Sequence, residues 1–115
     1  MIEPNEYEIN LKAAPQDYLK AGFQQRSGFY RLSRPLYKYN SQATYVTLTV
    51  LVEDDWLVVN VSDDTGNAYA PFYNPNLRHD NLVCDAVIAK YNNIMDELVN
   101  RRILKKKRRK KSGKD

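Results

Sequence analysis

Side chains that could do chemistry fall into three groups in this chain. Glu53-Asp54-Asp55 and Asp63-Asp64 are two acidic clusters, and His79 and Cys84 are the single histidine and the single cysteine. Arg101, Arg102, Lys105, Lys106, Lys107, Arg108, Arg109, Lys110 and Lys111 crowd the C-terminus. Paired carboxylates can share a proton, and acidic clusters can hold hard cations. A thiolate beside an imidazole can act as a nucleophile, and a run of cations can neutralise phosphates. Spacing removes the first three. The acidic clusters flank the segment Trp56–Ser62, which as a strand is roughly 20 Å long. That is too far for one metal site or one acid–base pair, and neither cluster has the D-x-[DN]-x-[DN]-G spacing of a calcium loop. One histidine and one cysteine cannot build a structural zinc site. Five residues apart at a helix start, they point in different directions. Cys84 reads as a small buried apolar residue. No catalytic residue, metal or cofactor is assigned, and the expectation is a protein that is not an enzyme.

Asp64-Thr65-Gly66 follows an apolar strand and resembles the D-T-G of retroviral-type aspartic proteases, where two chains each supply one Asp. The resemblance spans three residues. Asn67 stands where that family usually has Ser or Ala, and no later apolar-apolar-Gly segment follows. The triplet reads as turn chemistry: Asp suits the first turn position, and Gly66 can take the positive φ that closes a bulged hairpin. With only Gly22, Gly28, Gly66 and Gly113 in the chain, no glycine-rich phosphate cradle can be built.

The cations carry the functional weight. The formal charge of +4 hides an asymmetry. Residues 101–115 hold ten cations against Asp115, and the rest of the chain is mildly acidic. Complementing a helix dipole explains two or three of the ten. The remainder suit an electrostatic arm that binds phosphate backbones without reading sequence. The run also resembles a monopartite nuclear localisation signal, relevant in a eukaryotic source. Arg31, Arg34, Tyr37 and Lys38, interleaved with Tyr30 and Tyr39, form a second candidate. Aromatic platforms flanked by cations suit single-stranded nucleic acid, whereas charges on an edge strand discourage aggregation.

These groups must be held by a small scaffold. At 115 residues with 43% apolar composition the chain makes one domain. No apolar run approaches the ~20 residues of a membrane span, the N-terminus lacks an apolar signal region, and a lone cysteine fits a reducing compartment. A cytoplasmic setting is expected, or a nuclear one in a eukaryote. Tyr7, Ile9 and Leu11 alternate as a short strand. Pro15 opens a helix over residues 15–25, ended by Arg26-Ser27-Gly28. Phe29–Tyr39 reads as a strand that Pro35 places at an edge, or bends. Val46, Leu48, Val50 and Val52 make one apolar strand face, and Trp56–Ser62 and Ala68–Tyr73 continue a meander. Asp80 or Asn81 caps a long helix whose stripe is Val83, Val87, Tyr91, Ile94 and Leu98. No Gly or Pro interrupts residues 78–111, so this helix has no local stop signal and could run on into the basic segment and fray there, although consecutive like charges oppose that extension and nothing remains there to pack.

The fold expected is α+β: an antiparallel β-meander of four to five strands packed against a long C-terminal helix and a short N-terminal helix. Residues 1–104 form the domain and 105–115 a basic, disordered tail. The expected function is a nucleic-acid-associated module, with the tail giving non-specific backbone affinity. The alternative is a protein-interaction module acting through the acidic, Tyr-rich body. Nucleic acid is the expected partner; a protein partner or a homodimer through an edge strand is the other.

Overall fold

A computed structural model describes residues 6–106. The chain is α+β, with a four-stranded antiparallel sheet, a second sheet of two strands, and helices on one face of the larger sheet. Strand β1 (Tyr7–Ile9) leads to helix α1 (Pro15–Lys20), then to β2 (Gln24–Arg26), β3 (Phe29–Lys38), β4 (Thr44–Glu53) and β5 (Trp56–Ser62). A one-turn helix α2 (Ala70–Tyr73), a 3-10 turn (Pro75–Leu77), the long helix α3 (Leu82–Asn100) and strand β6 (Leu104–Lys106) complete it. The larger sheet has the order β2-β3-β4-β5, and β6 pairs with β1.

Strand alternation builds the core. Val46, Leu48, Val50 and Val52 of β4 are all buried, with Leu32 and Leu36 of β3 and Val61 of β5 beside them. Onto this face α3 packs Val87, Tyr91, Ile94, Met95 and Leu98. At about 1.5–3 kcal/mol per fully buried aliphatic side chain, this layer is the main source of stability. Pro35 is accommodated because β2 pairs only with residues 29–31, so β3 has a free edge there, and its register with β4 shifts just after the proline.

Both longer helices end in the same device. At the end of α1, Phe23 N–H donates to the Tyr18 carbonyl at 3.0 Å and Gly22 N–H to that of Leu19 at 3.1 Å. Gly22 takes φ +100°, and the Tyr18 and Phe23 rings meet edge to face. This is a Schellman motif with glycine at its left-handed position. Helix α1 therefore stops at Lys20 rather than near residue 25, and Gln24–Arg26 becomes a strand joined to β3 through Ser27-Gly28. At the end of α3, Ile103 N–H donates to the Leu98 carbonyl and Arg102 N–H to that of Val99, each at 3.0 Å. Here Arg102 occupies the left-handed position, at φ +65°.

That second motif corrects the reading of a helix with no stop before the basic segment. The helix stops at Asn100 because Ile103 and Leu104 have somewhere to go: both are buried in the core. Lys105 and Lys106 follow in β6, so the 104/105 boundary expected between domain and tail falls inside a strand. At the other end of α3 the cap is Asn81, whose side chain accepts from Cys84 N–H at 2.9 Å.

A second correction concerns Ala68–Tyr73, expected as a third meander strand. Pairing there shrinks to one bridge, Ser62 to Ala68, and the chain turns into α2. Proline is tolerated in a first helical turn and not inside a ladder. The Tyr73 hydroxyl accepts from Val61 N–H at 2.9 Å, taking the place of a strand acceptor. Arg78 ties off α2, its Nε donating to the Pro71 carbonyl at 2.8 Å and its Nη2 to that of Phe72. At the N-terminal end, Leu11 lies beyond β1 in an exposed turn.

Candidate nucleic-acid interface

The β3 patch divides between two faces, because neighbouring residues of a strand point to opposite sides. Arg31 pairs with Leu51 and stands on the open face of the sheet. Arg34 pairs with Leu48 on the helix side and reaches Glu97 of α3, with Nη2 3.2 Å from Oε1 and 3.4 Å from Oε2. Arg101 Nε donates to the same carboxylate at 3.1 Å. Two of the expected nucleic-acid contacts, Arg34 and Arg101, thus converge on one acid. Tyr30 stacks on Tyr18 on the helix side, with ring centroids 4.4 Å apart. Tyr37 lies against Tyr45, and Lys38 is exposed at the strand end. The interleaved platform of aromatics and cations is not formed.

The described C-terminal cations divide between the end of α3 and β6. Arg101 and Arg102 close α3 and are exposed. Lys105 faces Glu8 across the β1–β6 ladder, Nζ to Oε2 3.9 Å, and Lys106 stands opposite Tyr7. Lys107, Arg108, Arg109, Lys110 and Lys111 lie outside the described residues. Beside Arg101 and Arg102 a cleft of about 280 Å³ is bounded by Asn10, Lys12, Ala13 and Asp17. Lys12 was not among the expected site residues; a single lysine in a loop gives no periodic or motif signal.

The acidic clusters resolve into turns. Asp63 Oδ1 accepts from Thr65 Oγ1 at 2.6 Å, Thr65 N–H at 2.9 Å and Asn67 N–H at 3.1 Å. These bonds, the Thr65 hydroxyl foremost, hold the Asp63 carboxyl below its ordinary range. Asp64 accepts from the Tyr39 hydroxyl at 2.8 Å, which pushes that phenol up to about 12. Asp54 takes φ +53° in the two-residue turn between β4 and β5. Cys84 is fully buried, and burial raises its thiol. Among the described residues no group of three His, Cys, Asp or Glu side chains gathers. Among them, too, no helix is long and apolar enough to cross a membrane.

The fold is similar to that of a DUF1831 family protein from Lactobacillus plantarum. Its crystal structure matches with a TM-score of 0.71 over 88% of this chain and 86% of that one, at 15% identity. The likeness is one of fold. No protein-family model matches the chain, and no curated protein matches it.

A feature that pattern reading passed over lies on the open face of the sheet. Phe29, Leu51, Val58 and Trp56 line a shallow apolar cleft of about 240 Å³ with Glu53. Trp56 is 69% exposed. Its strand-by-strand signal is weak because the residues are spread over three strands, β3, β4 and β5; only the register, which sets Leu51 between Arg31 and Val58, assembles it.

Proposed function

We propose that this protein associates with nucleic acid through its C-terminal cations, without sequence readout. The observation that carries this reading is the density of positive charge at one end of the chain, ten Lys and Arg in residues 101–115. The described part of that run is exposed and only lightly neutralised: Glu8 is 3.9 Å from Lys105, and Glu97 is shared between Arg101 and Arg34. Its root is fixed, because buried Ile103 and Leu104 and the β1 ladder hold the chain at Lys106. Such an arm gains affinity by releasing counterions, so its binding depends steeply on salt. The test is oligonucleotide binding by the full chain across a salt series, beside a variant with Lys107, Arg108, Arg109, Lys110 and Lys111 changed to Gln. Neutralisation of these five cations should flatten the salt dependence by about 0.7 per cation on single strands; retention of full affinity would refute the reading.

The open-face cleft favours a second reading, a protein partner. Three carboxylates, Glu53, Asp54 and Asp55, stand at the Trp56 end and repel phosphates, whereas exposed aromatics suit protein interfaces. Trp56→Ser separates the two: the arm reading leaves oligonucleotide affinity unaltered in this variant, whereas the second reading makes Trp56 the anchor of a protein contact that the variant loses.

A further inference from the structure

We propose that the cleft between the β1–α1 loop and the end of α3 is a binding site for a phosphate group; this rests on the reading of the C-terminal cations as phosphate binders. Lys12 enters the cleft from the loop, and Arg101 and Arg102 from the helix terminus. Lys12 and Arg102 are exposed, and neither belongs to an ion pair among the described residues. Arg101 is partly neutralised by Glu97, 3.1 Å away. Asp17 also lines the cleft, its Oδ2 accepting from Ala14 N–H at 2.8 Å at the start of α1, and the three cations outnumber its carboxylate. Asn10 adds its own edge, with its side-chain oxygen accepting from Lys12 N–H at 3.0 Å, which fixes the loop that presents Lys12. The space, about 280 Å³, holds roughly nine waters at ~30 Å³ each, or a phosphate with part of its hydration.

The backbone supports the same assignment. The left-handed position of a Schellman motif is the place where glycine is least strained, and α1 has Gly22 there. Helix α3 has Arg102, at φ +65°. A charged side chain is thus held at this point against the conformational preference of the position, and it opens onto the cleft. The shared chemistry is a tetrahedral phosphate with negative charge, either one residue of a nucleic-acid backbone or free phosphate.

The test uses the full chain, with Arg102→Gly and Lys12→Gln. The first removes the cation while relieving the backbone, so loss of binding cannot be ascribed to loss of fold. Amide NMR shifts of Lys12, Ala13 and Arg102 are followed on addition of inorganic phosphate at constant ionic strength. A saturable shift in the native chain, lost in both variants, establishes the site; no saturable shift, or one that survives both substitutions, overturns it. A short single-stranded DNA then separates the sources. If the cleft holds a backbone phosphate, each variant flattens the slope of log K against log salt by about 0.7. An unchanged slope with a phosphate shift assigns the cleft to free phosphate. If the native chain binds no DNA at all, the reading of the arm fails, and the inorganic phosphate titration still decides the cleft.

Discussion

Arg34 on β3 and Glu97 on α3 are joined by an ion pair of 3.2 Å that ties the sheet to the helix covering it. The two residues are 63 positions apart, and Arg101 shares the same carboxylate. About a third of each of the paired side chains is exposed, 33% for Arg34 and 37% for Glu97, so solvent screens the contact. A double-mutant cycle with Arg34→Met and Glu97→Gln should give a coupling of about 0.5–1 kcal/mol by urea denaturation. Arg34→Gln should leave oligonucleotide affinity unaltered, since its guanidinium is engaged within the fold.

The end of α3 predicts opposite effects from adjacent residues. A left-handed L-residue costs about 1–2 kcal/mol, and glycine's greater unfolded-state freedom offsets about 0.5–1 of that. Arg102→Gly should therefore stabilise by about 0.5–1 kcal/mol. Ile103→Ala, in a fully buried position, should destabilise by about 2–5 kcal/mol. A chain ending at Asn100 should melt well below one ending at Lys106. Equal midpoints for these two chains would mean that Ile103 and Leu104 do not anchor the fold.

Much of this architecture can be read from residue order, and the failures have physical causes. The alternation of Val46, Leu48, Val50 and Val52 and the stripe of Val87, Tyr91, Ile94 and Leu98 mark the core directly, because neither face has a competing use. Ile103 and Leu104 escape notice because cations surround them, and a helix stop made by Arg102 carries no glycine signal. Pro71 fits a short edge strand or a first helical turn equally well, and only the tertiary contacts of Phe72 and Tyr73 select the helix. As for the site, clustering of cations at the C-terminus is legible. The division of Arg31 from Arg34 follows from strand alternation alone. The convergence of Lys12 with Arg102 depends on β1 pairing with β6, which no local pattern announces.

The Asp63 loop predicts a pH dependence. Its carboxyl is lowered in the folded chain by the Thr65 hydroxyl and by backbone donors. Its contribution is therefore present above the unfolded value of about 3.9 and is lost as pH falls through the lower folded value. Asp63→Asn should lower the thermal midpoint at neutral pH, and the gap to the native chain should narrow as the solution is acidified below about pH 4. A gap constant across that range would contradict the hydrogen-bonded carboxylate.

Trp56, the single tryptophan, gives a clean optical probe of the open face. At 69% exposure its emission should be red-shifted and readily quenched. Glu53, Asp54 and Asp55 nearby should make caesium a better quencher than iodide. Trp56→Ser should change stability by no more than about 0.5 kcal/mol, measured by circular dichroism, because the ring packs little.

The central claim is that the C-terminal cations bind phosphate backbones, and the salt dependence of single-stranded DNA binding measures it directly. Single strands give a slope of about −0.7 per neutralised phosphate. Changing Lys107, Arg108, Arg109, Lys110 and Lys111 to Gln should therefore flatten the slope of log K against log salt by about 3.5. A full chain that shows no salt-dependent binding, or a variant whose slope and affinity match those of the full chain, would contradict the claim.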